Sequence, residues 1–144
     1  MKSRYSTSSF TYNIGGAMIE FALVLPLLLL VTFGIIEFSI ALYDKAVITN
    51  ASREGARAGV IFRTPALTDE QISTIVINAS EAHLITFGAA TAPQVSVTRP
   101  NGGTAGNPLT VTVTYDFTGL MLGDLLSVMT GTHTLSSATT MVIE

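Results

Sequence analysis

The chain has 144 residues, no cysteine and a formal net charge of −3. That length accommodates one small domain and one anchor, and the absence of thiols excludes disulfide, thiolate-metal and cysteine-nucleophile chemistry. The seven lysines and arginines occur singly, without a basic cluster or interleaved aromatics, so nothing here would neutralise a nucleic-acid backbone and nucleic acid is excluded as a partner.

A hydrophobic share of 48% and a mean hydropathy of +0.52 exceed those of an ordinary soluble domain, and the excess sits in one amino-terminal block. Residues 1–15 are polar, carry Lys2 and Arg4 and contain no acid, and they read as a cytoplasmic leader. From Phe21 to Ile36 the chain is uncharged, and after Glu37 the apolar run resumes to Tyr43. As a helix, Phe21 to Tyr43 would rise roughly 34 Å, against about 30 Å of hydrocarbon in a bilayer. It is long enough to span, and membrane lipid is its expected surroundings. Pro26 predicts a kink that a membrane helix tolerates. Lys2 and Arg4 favour a cytoplasmic amino terminus, although Lys45, Arg53 and Arg57 beyond the span weaken that bias.

Residues 44–63 keep a helical composition, so the anchor is expected to continue into water as one rod, with Val47, Ala51, Gly55, Ala58, Gly59 and Phe62 along one stripe. Ala51, Gly55 and Gly59 recur every fourth residue, which predicts close approach of another backbone on that face. Arg53 and Arg57 share a second face with Glu54 offset, and predict a polar stripe for contact with the globular domain or a neighbouring subunit. Past Thr64-Pro65, Thr68 and Gln71 have the spacing of a capping box, and Ile72, Ile75, Val76, Ala79 and Ala82 predict an amphipathic helix over 69–86. A strand is expected over Gln94–Arg99. A Pro/Asn/Gly-rich loop follows, then Leu109–Phe117, where Leu109, Val111, Val113, Tyr115 and Phe117 alternate with Thr and Asp in the manner of a strand with one buried face. After a short apolar stretch, residues 119–129, the run from His133 to Glu144 is expected to close an antiparallel sheet. The fold class is therefore α+β: a long membrane-spanning helix, a second amphipathic helix and about three antiparallel strands. The expected division is a leader over 1–15, a transmembrane helix over 16–43 and an extracytoplasmic domain over 44–144.

One residue resists a purely structural reading. An acid within a spanning helix costs about 2.5 to 3.5 kcal/mol at the bilayer centre. Glu20 lies at the cytoplasmic end, where that cost is reduced, and just beyond Gly15, Gly16 and Ala17. A cut after Gly15 would put a new α-amine on Gly16, about one helical turn from the Glu20 carboxylate or from that of a neighbour, turning a lone charge into a pair. Glu37, roughly 31 Å of rise from Gly16, is expected to snorkel at the outer interface.

The stretch from Gly15 to Val60 resembles the amino-terminal signature of TadE-like minor pilins of the tight-adherence (Tad/Flp) type IV pilus system. The resemblance rests on Gly15, Glu20, Phe21, Pro26, Phe33, Gly34, Glu37 and the segment Asn50, Ala51, Arg53, Glu54, Gly55, Ala56, Arg57, which follows the pattern N-A-x-R-E-G-A-R. It covers roughly residues 15–60; the rest matches the family only in architecture. It implies processing between Gly15 and Gly16 by a prepilin peptidase, an assembly role for Glu20 and Phe21, and other pilins, minor pilins and the inner-membrane assembly platform as partners. It also implies single-pass residence in a bacterial inner membrane before assembly.

Catalysis finds no support: His83 and His133 are far apart with no thiol to join them, Asp116 and Asp124 stand singly, and there is no P-loop or G-x-S-x-G. No enzyme activity, cofactor or metal is expected. Two rival readings are a bitopic protein whose outer domain binds an envelope ligand, and a secreted protein cut near Ser39-Ile40-Ala41. The second is disfavoured because the apolar block exceeds the usual signal-peptide core.

Overall fold

The computed structural model describes residues 14–87, 91–119 and 133–144. The first element, α1 (Ile14–Val60), is one helix of 47 residues that continues through Pro26 and rises roughly 70 Å. Its first residues, Ile14 and Gly15, belong to the segment expected as leader; the rest of that segment, 1–13, lies outside the described residues, as does the apolar stretch from 120.

The second helix, α2 (Asp69–Ser80), starts where the capping box predicts. Thr68 Oγ1 accepts the Gln71 N–H at 3.2 Å while Gln71 Oε1 accepts the Thr68 N–H at 3.0 Å, so two of the donors left over at a helix start are satisfied reciprocally. The helix stops six residues before the expected end at 86. Buried Ser80 bonds its Oγ to the Val76 carbonyl at 2.8 Å, and its own carbonyl takes the N–H groups of His83 and Leu84 in a turn. The chain thereby swings back to α1, and Ala82, expected on the apolar face, is exposed.

Three strands, β1 (Gln94–Thr98), β2 (Pro108–Phe117) and β3 (His133–Val142), form an antiparallel sheet in the order β1-β2-β3, with Val95 opposite Val113 and Val111 opposite Thr139. The alternation along β2 is realised: Leu109, Val111, Val113, Tyr115 and Phe117 are all buried. They meet Ile72 and Val76 of α2 and Ile48, Ala51, Ala56 and Val60 of α1 in one core. Complete burial of each large member contributes about 1.5 to 3 kcal/mol, so this core holds the carboxyl-terminal half of α1 to the sheet. In the loop between β1 and β2, Gly102 and Gly106 have φ of +73° and +82° with open space where a Cβ would stand; conformation, not crowding, selects glycine there. The last residue of α1 is tied to the chain's end, since Glu144 N–H donates to the Val60 carbonyl at 3.3 Å.

The buried stripe of α1 differs from the one expected. It runs through Asp44, Ile48, Ala51, Ser52, Gly55, Ala56 and Val60, while Phe62 is 78% exposed beyond the helix end. Two polar residues lie on the inward face, which a count of apolar positions passes over. Ser52 is accommodated because its Oγ bonds to Thr139 Oγ1 at 2.8 Å and to the Thr49 carbonyl at 2.9 Å. Partial burial extends back through Ile40, Ala41, Gly34 and Phe33, and Glu37 is only 8% exposed. The chain itself shields that carboxylate, so it does not snorkel into water.

Candidate functional site

α1 divides into two halves of different character. From Gly16 to Ile36 almost every apolar side chain is exposed, on all sides of the helix: Phe21 is 64% exposed, Leu23 74% and Leu27 62%. A helix apolar all round, with its most hydrophobic window wholly unburied, has no stable place in water and requires lipid or other helices around it. Residues 16–36 rise roughly 32 Å, enough to cross the hydrocarbon before the domain begins to cover the helix near Phe33 and Glu37.

Gly15 and Gly16 occupy the first turn, and among the described residues nothing lies within 4 Å of where a Cβ would stand on either. Among the described residues nothing would have to move for another molecule to approach this backbone. Glu20 follows one turn after Gly16 and is exposed, as is Phe21. All four residues share the bare end of the helix.

Ala51, Gly55 and Gly59 instead lie in the core. A Cβ on Gly55 would overlap Val76 Cγ2, and one on Gly59 would lie 2.5 Å from Leu109 Cδ2 and 2.7 Å from Ile72 Cδ1. What approaches this small-residue face is α2 and β2 of the same chain. Arg53, Glu54 and Arg57 are exposed on the opposite side and line an open groove together with Arg63 and Met141.

Two features escaped the sequence reading. Asp44 is completely buried, its Oδ1 accepting the Ile85 N–H at 3.0 Å and its Oδ2 without a hydrogen-bond partner among the described residues. Next to it, Thr86 bonds the hydroxyl of buried Tyr115, and Lys45 Nζ donates to the Ser136 carbonyl. These contacts join α1, the segment after α2 and the sheet where the helix enters the domain. The signal available was spacing: Glu37, Ala41, Asp44, Ile48 and Ala51 recur at intervals of three and four once polarity is disregarded. The second feature is Arg63, which lies past the helix end and joins Arg53 and Arg57 only through the tertiary fold.

Burial pushes the Asp44 carboxyl above its ordinary value of 3.8, with the Ile85 N–H opposing that rise. The folded state thus favours the neutral acid, and this residue's contribution to stability is complete below 3.8 and lost as pH rises through the raised folded value. Asp44→Asn keeps an oxygen for the Ile85 N–H and cannot ionise. The melting temperature of the variant minus that of the wild type should grow with pH above 3.8; a pH-independent difference would contradict the assignment.

These features fit a single-pass membrane protein: an α+β domain carried on the continuation of the one helix, among the described residues, that is long and apolar enough to cross a membrane. Residues 15–57 match the family model described as TadE-like protein, which covers the bare segment and the first part of the buried one and is consistent with a TadE-like, pilin-type protein. That family is structural and non-enzymatic. No curated protein and no solved structure matches the chain.

Proposed function

We propose that the protein is a minor pilin or pseudopilin that takes part in assembly of a Tad (Flp) type IV pilus after a prepilin peptidase cuts it between Gly15 and Gly16. The carrying observation is that the TadE-like match coincides with a helix that is bare and apolar over its first half and built into a domain over its second. Such a helix can be stored in a bilayer and later transferred sideways into a bundle of like helices, because both environments present apolar surface to it. The domain, on the extracytoplasmic side, travels as a rigid extension of the helix. Glu20 and Phe21 act in that transfer, the carboxylate pairing with the amine freed on Gly16. Other pilins and the inner-membrane assembly platform are the partners this transfer requires.

The amino-terminal residue of the mature protein tests the reading. Gly16 is expected, and Gly15→Arg should leave full-length protein in the membrane, since a long charged side chain would stand where the open backbone now allows access. A start at Met1 would instead indicate a resident bitopic protein, and one near Leu42 a secreted domain. Trimming of the Gly15→Arg variant to Gly16 would exclude the proposed recognition of glycine.

A further inference from the structure

We infer that the groove between Arg53, Arg57 and Arg63 docks a carboxylate-bearing peptide segment of a partner protein. The groove encloses about 470 Å³, and its remaining lining is Glu54 with the apolar Ala58, Ile61 and Met141. Its charge runs against that of the chain, which is net negative. Beyond residue 43 the cations are Lys45, Arg53, Arg57, Arg63 and Arg99, and the fold uses two of them internally. Lys45 bonds the Ser136 carbonyl. Arg99 holds the Leu67 carbonyl through Nη2 at 2.8 Å and has its Nε 3.0 Å from Asp69 Oδ1, a charge contact without the alignment of a hydrogen bond. The other three converge on one groove, and among the described residues none of them makes an ion pair or side-chain hydrogen bond.

Like charges one helical turn apart, as at Arg53 and Arg57, disfavour the helix, and Arg63 adds to the repulsion from outside it. A bound anion relieves it, and guanidinium forks match carboxylates in a planar, two-point geometry. The size and floor of the groove indicate a peptide. Ile61 is 43% exposed, and with the flexible Met141 it offers apolar contact to the residues between the acids. A compact phosphate would use neither, and it would sit at the carbonyl end of α1, whose partial negative charge disfavours a small dianion. Lipid headgroups are the poorer match: from Tyr43, where the apolar run ends, the helix rises roughly 15 Å to Arg53 and roughly 21 Å to Arg57, about two to three times the screening length of about 8 Å at physiological salt. Only that distance depends on the membrane-anchored reading; the groove is the same whatever assembly the helix serves.

The test uses the full-length chain in non-ionic detergent micelles and a fluorescein-labelled decapeptide with four glutamates interleaved with alanine and leucine. Saturable binding is expected to weaken as salt is raised. It should weaken about tenfold, or 1.4 kcal/mol, in the triple variant R53Q/R57Q/R63Q. Melting temperature should hold or rise slightly in that variant, because all three side chains are exposed and their mutual repulsion is removed. The same peptide with glutamines for glutamates should bind as poorly. Equal binding by the triple variant or by the glutamine peptide would overturn the assignment, as would displacement by millimolar inorganic phosphate or by phosphatidylglycerol vesicles. Self-association of the protein alone that the triple variant abolishes would make the occupant a second copy and would equally overturn it. None of these results bears on whether the mature chain begins at Gly16, so the two proposals fail separately.

Discussion

Gly55→Ile should lower the melting temperature of the full-length protein in detergent micelles by roughly 10 to 20 °C. Even the first carbon of the new side chain would overlap Val76 Cγ2 and come within 3.4 Å of Val111 Cγ1 and 3.6 Å of Ile72 Cγ2. Val76 is fully buried and branched at Cβ, so it has few rotamers in α2 with which to move aside. Overfilling a packed core costs about 1 to 3 kcal/mol and sometimes more, whereas replacing glycine within a helix returns less than about 1 kcal/mol of propensity. Against a total stability of about 5 to 15 kcal/mol for a domain, the net loss is large. The measurement also separates two meanings of the small-residue row. If Gly55 serves the fold of its own chain, the isolated variant melts early; unchanged melting with loss of association would mean that a neighbouring subunit uses this face.

Glu20→Ala should be cut normally at Gly16 and then fail to assemble, with incorporation reduced more than a hundredfold. On the proposed reading the peptidase recognises the glycines and the start of the helix, which the substitution leaves intact, and among the described residues Glu20 makes no contact with the folded domain that its loss could disturb, being exposed one turn into the bare segment. In a bilayer the new amine on Gly16 can reach the headgroups. Inside a bundle of apolar helices it cannot, and removing its carboxylate partner leaves a charge uncompensated at about 3 to 5 kcal/mol. Mass spectrometry of the variant should give Gly16 as the first residue, while pili on the surface and pilin partners recovered by pull-down disappear. Wild-type pilus numbers with a correctly cut variant would show Glu20 to be an interfacial residue and nothing more.

Strong local signals were legible before the fold was known. The capping box at Thr68 and Gln71 and the alternation from Leu109 to Phe117 are satisfied by neighbours in sequence or by one repeating period, so they survive into the structure unchanged. The end of α2 was not legible. Nothing between 81 and 86 forbids helix; the chain turns because it has partners on other elements, the Ile85 N–H on the Asp44 carboxylate and the Thr86 hydroxyl on that of Tyr115. Those partners are dozens of residues away along the chain and leave no local trace.

By itself the sequence determined that residues 16–43 form an apolar helix able to cross a membrane, that an acid lies one turn beyond Gly16 and that residues 109–117 form a strand with one inward face. Each follows from composition, spacing or period within a single segment. Tertiary structure alone decided which side of α1 is buried. The hydroxyl of Ser52 and the carboxylate of Asp44 can face inward because β3 and the segment after α2 bring hydrogen-bond partners to them. It decided that the glycines at 55 and 59 admit Val76, Ile72 and Leu109 of the same chain. It also gathered Arg63 with Arg53 and Arg57, since charges on separate segments share a groove only after the core has fixed where those segments lie.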